Sequence, residues 1–163
     1  VRTFASVLFI LLVAAAFLPS AASAEEAQAI QLSLFTPVQL RPEDTAIKYF
    51  RFNLIYGKNT TLVGLDLGLV NMLTAGESQT LQIGLANWVE ADCKGLQYGA
   101  LNVTRGTFTG WQWGFINSAG HAKGLMLGFL NVADSMYGVQ IGLINVIKEG
   151  GMLPVFPIFN FSF

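Results

Sequence analysis

Gly138-Val139-Gln140-Ile141-Gly142-Leu143-Ile144-Asn145 is the stretch that decides how this chain folds, because the chain repeats it. Clear copies are Gly64-Leu-Asp-Leu-Gly-Leu-Val-Asn71, Thr80-Leu-Gln-Ile-Gly-Leu-Ala-Asn87, Gly95-Leu-Gln-Tyr-Gly-Ala-Leu-Asn102, Gly110-Trp-Gln-Trp-Gly-Phe-Ile-Asn117 and Gly124-Leu-Met-Leu-Gly-Phe-Leu-Asn131. The closing Asn recurs at steps of 16, 15, 15, 14 and 14 residues. Degenerate copies flank them at 29–36, 49–56 and 153–160. A fixed short period of this kind marks a repeat architecture.

Within each phrase apolar and small or polar residues alternate with period two. On strict alternation Val139, Ile141, Leu143 and Asn145 share one face, and Gly138, Gln140, Gly142 and Ile144 the other. That is the strand period, and two Gly in eight residues disfavour a helix interior. The expected fold class is all-β, with nine tandem strand repeats of 14–16 residues.

The N-terminus reads differently. Arg2, an apolar run from Val7 to Leu18 and the small-residue motif Ala22-Ser23-Ala24 fit a secretory signal peptide over residues 1–24. The run falls short of the ~20 residues a spanning helix needs. Cleavage after Ala24 leaves one all-β repeat domain, residues 25–163, with eight basic against ten acidic residues. Without a basic stripe, nucleic-acid binding is not expected. The single Cys93 cannot form an internal disulfide. Nearly all charge lies between phrases, and only Arg51 and Asp66 fall inside one.

Two architectures accommodate the pattern. The first is an antiparallel outer-membrane β-barrel of about eight strands, starting at Ile47, with lipid outside and a polar layer of Arg51, Asp66, Gln82, Gln97, Gln112 and Gln140 inside. Residues 47–56 and 61–71 would then form a hairpin that brings Arg51 opposite Asp66. Trp88, Trp111 and Trp113 could supply aromatic girdles. The ending Phe159-Asn-Phe-Ser-Phe163 looks like an outer-membrane insertion signal. In this arrangement Ile141→Lys costs about 2–4 kcal/mol and Gln140→Lys less, and residues 29–36 are left over. The alternative is a parallel β-solenoid with one coil per repeat. It gives Asn71, Asn87, Asn102, Asn117, Asn131 and Asn145 a role as a stacked amide ladder. It also requires covered ends, and it would meet a partner along its flat Gly-rich side.

No residue set suggests catalysis, a cofactor or a metal. His121 is the only histidine and sits in a turn-like segment, far in sequence from Cys93. A metal site or a triad needs several convergent ligands. Cys93 reads as a small apolar filler. Glu90 with Asp92, and Asp134 with Glu149, read as solvated turn charge. The Gly-x-x-x-Gly spacings lack the Lys and helix of a phosphate loop. Trp111 and Trp113, on one face with Phe115, suit contact with a core or a bilayer.

The tandem phrases, together with residues 30–40, residues 52–59 and the ending Pro157-Ile-Phe-Asn-Phe-Ser-Phe163, resemble a family of bacterial surface and outer-membrane repeat proteins with GLQIGLIN-type repeats. The resemblance covers residues 30–163. Thr80, Ala100 and Met126 depart from its pattern. It implies an exported envelope protein at the outer membrane or cell surface; membrane lipid is the partner expected of the barrel arrangement. It implies no activity, substrate or cofactor.

Overall fold

A computed structural model describes residues 26–163. The segment read as a signal peptide lies outside the described residues. The strands are β1 (Gln28–Phe35), β2 (Val38–Gln39), β3 (Ile47–Asn59), β4 (Leu62–Leu73), β5 (Glu77–Ile83), β6 (Ala86–Val89), β7 (Asp92–Leu127), β8 (Leu130–Glu149) and β9 (Val155–Ser162).

The barrel expectation is overturned by strand direction. β3 pairs with β4, β4 with β5 and β6, both of these with β7, and β7 with β8, all of them parallel. Residues one repeat apart stand side by side: Leu65 beside Leu81, Gln82 beside Gln97, Asn87 beside Asn102. Segments 47–56 and 61–71 are therefore not a hairpin but successive coils, with Arg51 beside Asp66 in parallel register. The molecule is a β-solenoid. Residues 29–36, surplus in a barrel, lie parallel on β3 as part of the first layer.

One coil has two flat sides. In the coil that follows β4, β5 forms the first side, Gly84 and Leu85 turn a corner, β6 forms the second side, and Glu90 and Ala91 lead into the next coil. The corner corrects the strict two-face reading of the phrase. Alternation holds from Gly138 to Ile141, but the bend at Gly142–Leu143 shifts it by one. Asn145 thus turns inward with Gln140, while Val139, Ile141 and Leu143 face out.

Glycine makes the inward turn possible. A Cβ on Gly114 would lie 2.1 Å from the Gly99 carbonyl and 2.5 Å from the Asn102 amide nitrogen, so Gly leaves the space that the previous coil's Asn fills. Gly110, at φ 134°, would place a Cβ 2.0 Å from the Gly95 carbonyl. Neither position is an open Gly-rich side for a partner, because both press on the neighbouring coil.

The two ends depart from the stack. After β1 the chain folds back so that β2 pairs antiparallel with it. Gln31 clasps that return, accepting from the Arg41 amide at 2.8 Å and donating to the Arg41 carbonyl at 2.9 Å. At the other end β9 lies antiparallel on β8, with Asn160 beside Gln140 and Phe159 beside Ile141. The last phrase, residues 153–160, is thus a reversed lid rather than a further coil. Among the described residues no helix is long and apolar enough to cross a membrane, which says nothing of strands.

Candidate functional site

The interior of the solenoid carries polar rows between columns of apolar side chains. Arg51, Asp66, Gln82, Gln97, Gln112 and Gln140 are all fully buried, as are Asn71, Asn87, Asn102, Asn117, Asn131 and Asn145. Buried polar groups are tolerable only when hydrogen-bonded, and here they bond from coil to coil. Asn71 Nδ2 donates to Asn87 Oδ1 at 2.9 Å, and the same bond continues through Asn102, Asn117 and Asn131 to Asn145 at 2.8 Å each. The second N–H of each amide goes to a backbone carbonyl of the next layer, for example Asn87 to Tyr98 O at 3.0 Å. Asn53, one coil earlier, joins the row at 2.9 Å. In that coil the order is reversed: Asn53 occupies the register position of Gly68, and Gly57 that of Asn71. The exchange was readable only once the layers were aligned.

The Gln row runs the opposite way. Gln112 donates to Gln97 at 2.7 Å, Gln97 to Gln82 at 2.8 Å, and Gln82 to Asp66 Oδ2 at 2.9 Å. A carboxylate only accepts, so Asp66 fixes the direction of the row. Arg51 balances its charge through two parallel bonds of 2.8 and 2.7 Å, and also donates to Met72 O at 2.9 Å. A bidentate pair with its remaining donors engaged is the arrangement in which a buried ion pair is tolerated. Met126 interrupts the row and leaves Gln112 Oε1 without a partner.

Apolar side chains line much of the exterior. Among the described residues thirty large apolar or aromatic side chains are exposed, against twelve hydrophobic residues in the core. Two outer columns of the first side are apolar in every layer for which register is defined. One runs Ile30, Phe50, Leu65, Leu81, Leu96 and the other Leu32, Phe52, Leu67, Ile83, Tyr98. Trp111 and Trp113, at 62% and 56% exposure, continue them. The corner adds Leu69, Leu85, Phe115, Phe129 and Leu143. Phe115 and Phe129 stack with ring centroids 4.8 Å apart, and Trp113 meets Tyr98 edge-on at 5.6 Å. At the N-terminal end an apolar groove of about 360 Å³, lined by Leu32, Leu34, Val38, Leu40, Phe52 and Leu54, extends the same surface. Monomeric soluble proteins rarely expose contiguous apolar patches above a few hundred Å². This surface is the candidate functional site.

Most exposed charge lies at the edge opposite the corner, with Lys48, Lys94 and Lys123 in the outer column beside it and Lys58 next to Met72 on the second side. Glu77 pairs with Lys94, Glu90 with Arg105 and Asp134 with Lys148, each pair linking successive coils. The Glu77 carboxylate, by hydrogen bond and by charge, holds the Lys94 amine above its ordinary range. Such exposed pairs contribute little individually. The carboxylates of this edge are engaged separately: Glu90 also accepts from Trp88 Nε1 at 2.6 Å, and Asp92 from the Thr107 amide at 2.7 Å.

The remaining reactive candidates are apart. His121 lies in β7 rather than a turn, half-buried, with Nδ1 2.7 Å from Ser135 Oγ. Cys93 is buried, and its thiol is pushed up to about 12, first by burial and then by the negative charge of Asp66. A thiol so disfavoured as thiolate is a poor nucleophile. Among the described residues no group of three His, Cys, Asp or Glu converges on a point.

The chain matches no family model, no curated protein and no solved structure. The class that fold and surface define is an all-β repeat protein, a parallel solenoid with hydrogen-bonded polar rows in its interior and an apolar outer surface.

Proposed function

We propose that this chain is an exported bacterial envelope protein, a non-catalytic β-solenoid that acts as a binding module through its apolar outer surface. The observation that carries the reading is the placing of apolar side chains: amide rows take much of the interior, and most of the large Leu, Ile, Phe and Trp side chains line the outside. Burial stabilises about 25 cal/mol per Å² of apolar area, so an exterior of this kind favours an occupant. The tandem phrases that resemble bacterial surface repeat proteins, and the signal-peptide character of residues 1–24, support export. The separated histidine, cysteine and carboxylates support a role without catalysis.

Fractionation of a bacterium expressing the full chain tests the reading. The wild type is expected with the envelope. A variant carrying Ile83→Glu, Trp113→Glu and Ile141→Glu should keep its strand circular dichroism, since these side chains point outward, yet appear in the soluble fraction. A wild type recovered free in the soluble fraction, or a folded triple variant that stays with the envelope, overturns it.

A further inference from the structure

We propose that the occupant of this surface is the hydrocarbon of one leaflet of a lipid bilayer, with the solenoid lying on the membrane, its corner down and its charged edge toward water. The inference rests on the binding-module reading above and names the partner.

Shape is the first argument. The apolar surface wraps the first side, the corner and part of the second side, so it is convex. A second flat sheet face, packed about 10 Å away, would cover one side and leave the corner residues Leu85, Phe115 and Phe129 in water. Acyl chains are fluid and cover a convex ridge with both its flanks.

Depth is the second. From the corner at Leu69 the apolar surface runs back to Leu65 on one side, where the next column turns to lysine, and to Met72 on the other. At roughly 3.3 Å per residue these flanks reach about 13 and 10 Å. Half of a ~30 Å hydrocarbon core is ~15 Å, so the collar fits one leaflet and does not span two.

The boundary is the third. The column next to the apolar face carries Lys48, Lys94 and Lys123 among its layers, where ammonium groups would meet headgroup phosphates. On the other flank Trp88 lies under the Arg105 guanidinium, 5.2 Å from the ring centroid, with its N–H bonded to Glu90. An aromatic ring with one wet end suits a membrane–water interface. A coil-to-coil stack also pairs its own backbone groups, which hydrocarbon requires.

The test measures depth. The full chain is mixed with phosphatidylcholine vesicles brominated at mid-chain. One variant carries Phe115→Trp with Trp88, Trp111 and Trp113 each changed to Phe; a second keeps only Trp88. Far-UV circular dichroism checks that both stay folded. The Phe115→Trp variant is expected to lose more than half of its emission relative to unbrominated vesicles, and the variant that keeps Trp88 to lose little. Weak quenching at both positions overturns the inference, including association through residues 7–18 alone. If quenching fails and sedimentation shows a dimer that Trp113→Glu dissolves, the occupant is a second copy; the bilayer inference falls and the binding-module reading stands. If the protein is instead monomeric, with the tryptophan of the Phe115→Trp variant open to aqueous iodide, both fall.

Discussion

Met126 stands in the Gln row without being able to bond like its neighbours. Gln112 Oε1 has no partner beside it, and Gln140 Nε2, which donates to Val146 O at 3.1 Å, meets on that side only the thioether sulfur at 3.5 Å. An unmet buried acceptor costs more than a made bond returns, about 1–3 against 0.5–1.5 kcal/mol. Gln has nearly the length of Met and can donate to Gln112 while accepting from Gln140. Met126→Gln is therefore expected to stabilise the protein by about 1–2 kcal/mol, seen as a higher urea midpoint with unchanged slope. The residue departs from the repeat in the sequence, but its cost is visible only when the orphaned Gln112 oxygen is located.

The strand β8 carries the contrast between the faces. Its residue Gln140 is fully buried in the amide row, and its neighbour Ile141 is 47% exposed. A barrel with a wet lumen makes Gln140→Lys the milder change. The solenoid reverses that order for folding in water or detergent. Gln140→Lys buries an unpaired ammonium and should cost at least about 3 kcal/mol, whereas Ile141→Lys, on the outer face, should cost under 1 kcal/mol. Thermal melts of the two variants check this, and equal losses would contradict the assignment of faces. The same strand shows what the sequence could convey. Period two marks which residues share a face, so the inward place of Gln140 and the outward place of Ile141 were both legible. It carries no information on whether the next strand runs parallel or antiparallel. The corner inside the phrase was hidden too, because Gly142 fits either an extended strand or a bend. The recurrent Asn was the available clue. An invariant amide at a fixed step has no task in a barrel wall, and in a parallel stack it meets its own copy in the next layer. Asn53, displaced by four residues against Gly57, lacked even that cue.

Taken whole, the molecule holds its layers together with rows of amides whose N–H groups point toward the C-terminal coil in one row and the N-terminal coil in the other. Among the described residues, core hydrophobic side chains such as Ile47, Leu62, Phe108 and Ile147 pack in columns beside those rows. Most of the greasy side chains take no part in this. They are arranged around the outside, which is why composition alone could not separate a barrel from a solenoid: both put apolar residues outside and polar residues within.

The reversed direction of β9 has a consequence for how copies meet. A stack of identical parallel layers has no internal reason to stop, since its last layer offers the template for the next, as in cross-β fibres. Here the final layer runs backwards and carries Pro157, which lacks an N–H to give. A layer of that kind is expected to hinder end-to-end growth. Removing residues 152–163 should bare the β8 edge and convert a protein of defined size into thioflavin-positive filaments within an incubation that leaves the full chain clear. A truncated protein that stays dispersed would place the barrier to polymerisation elsewhere.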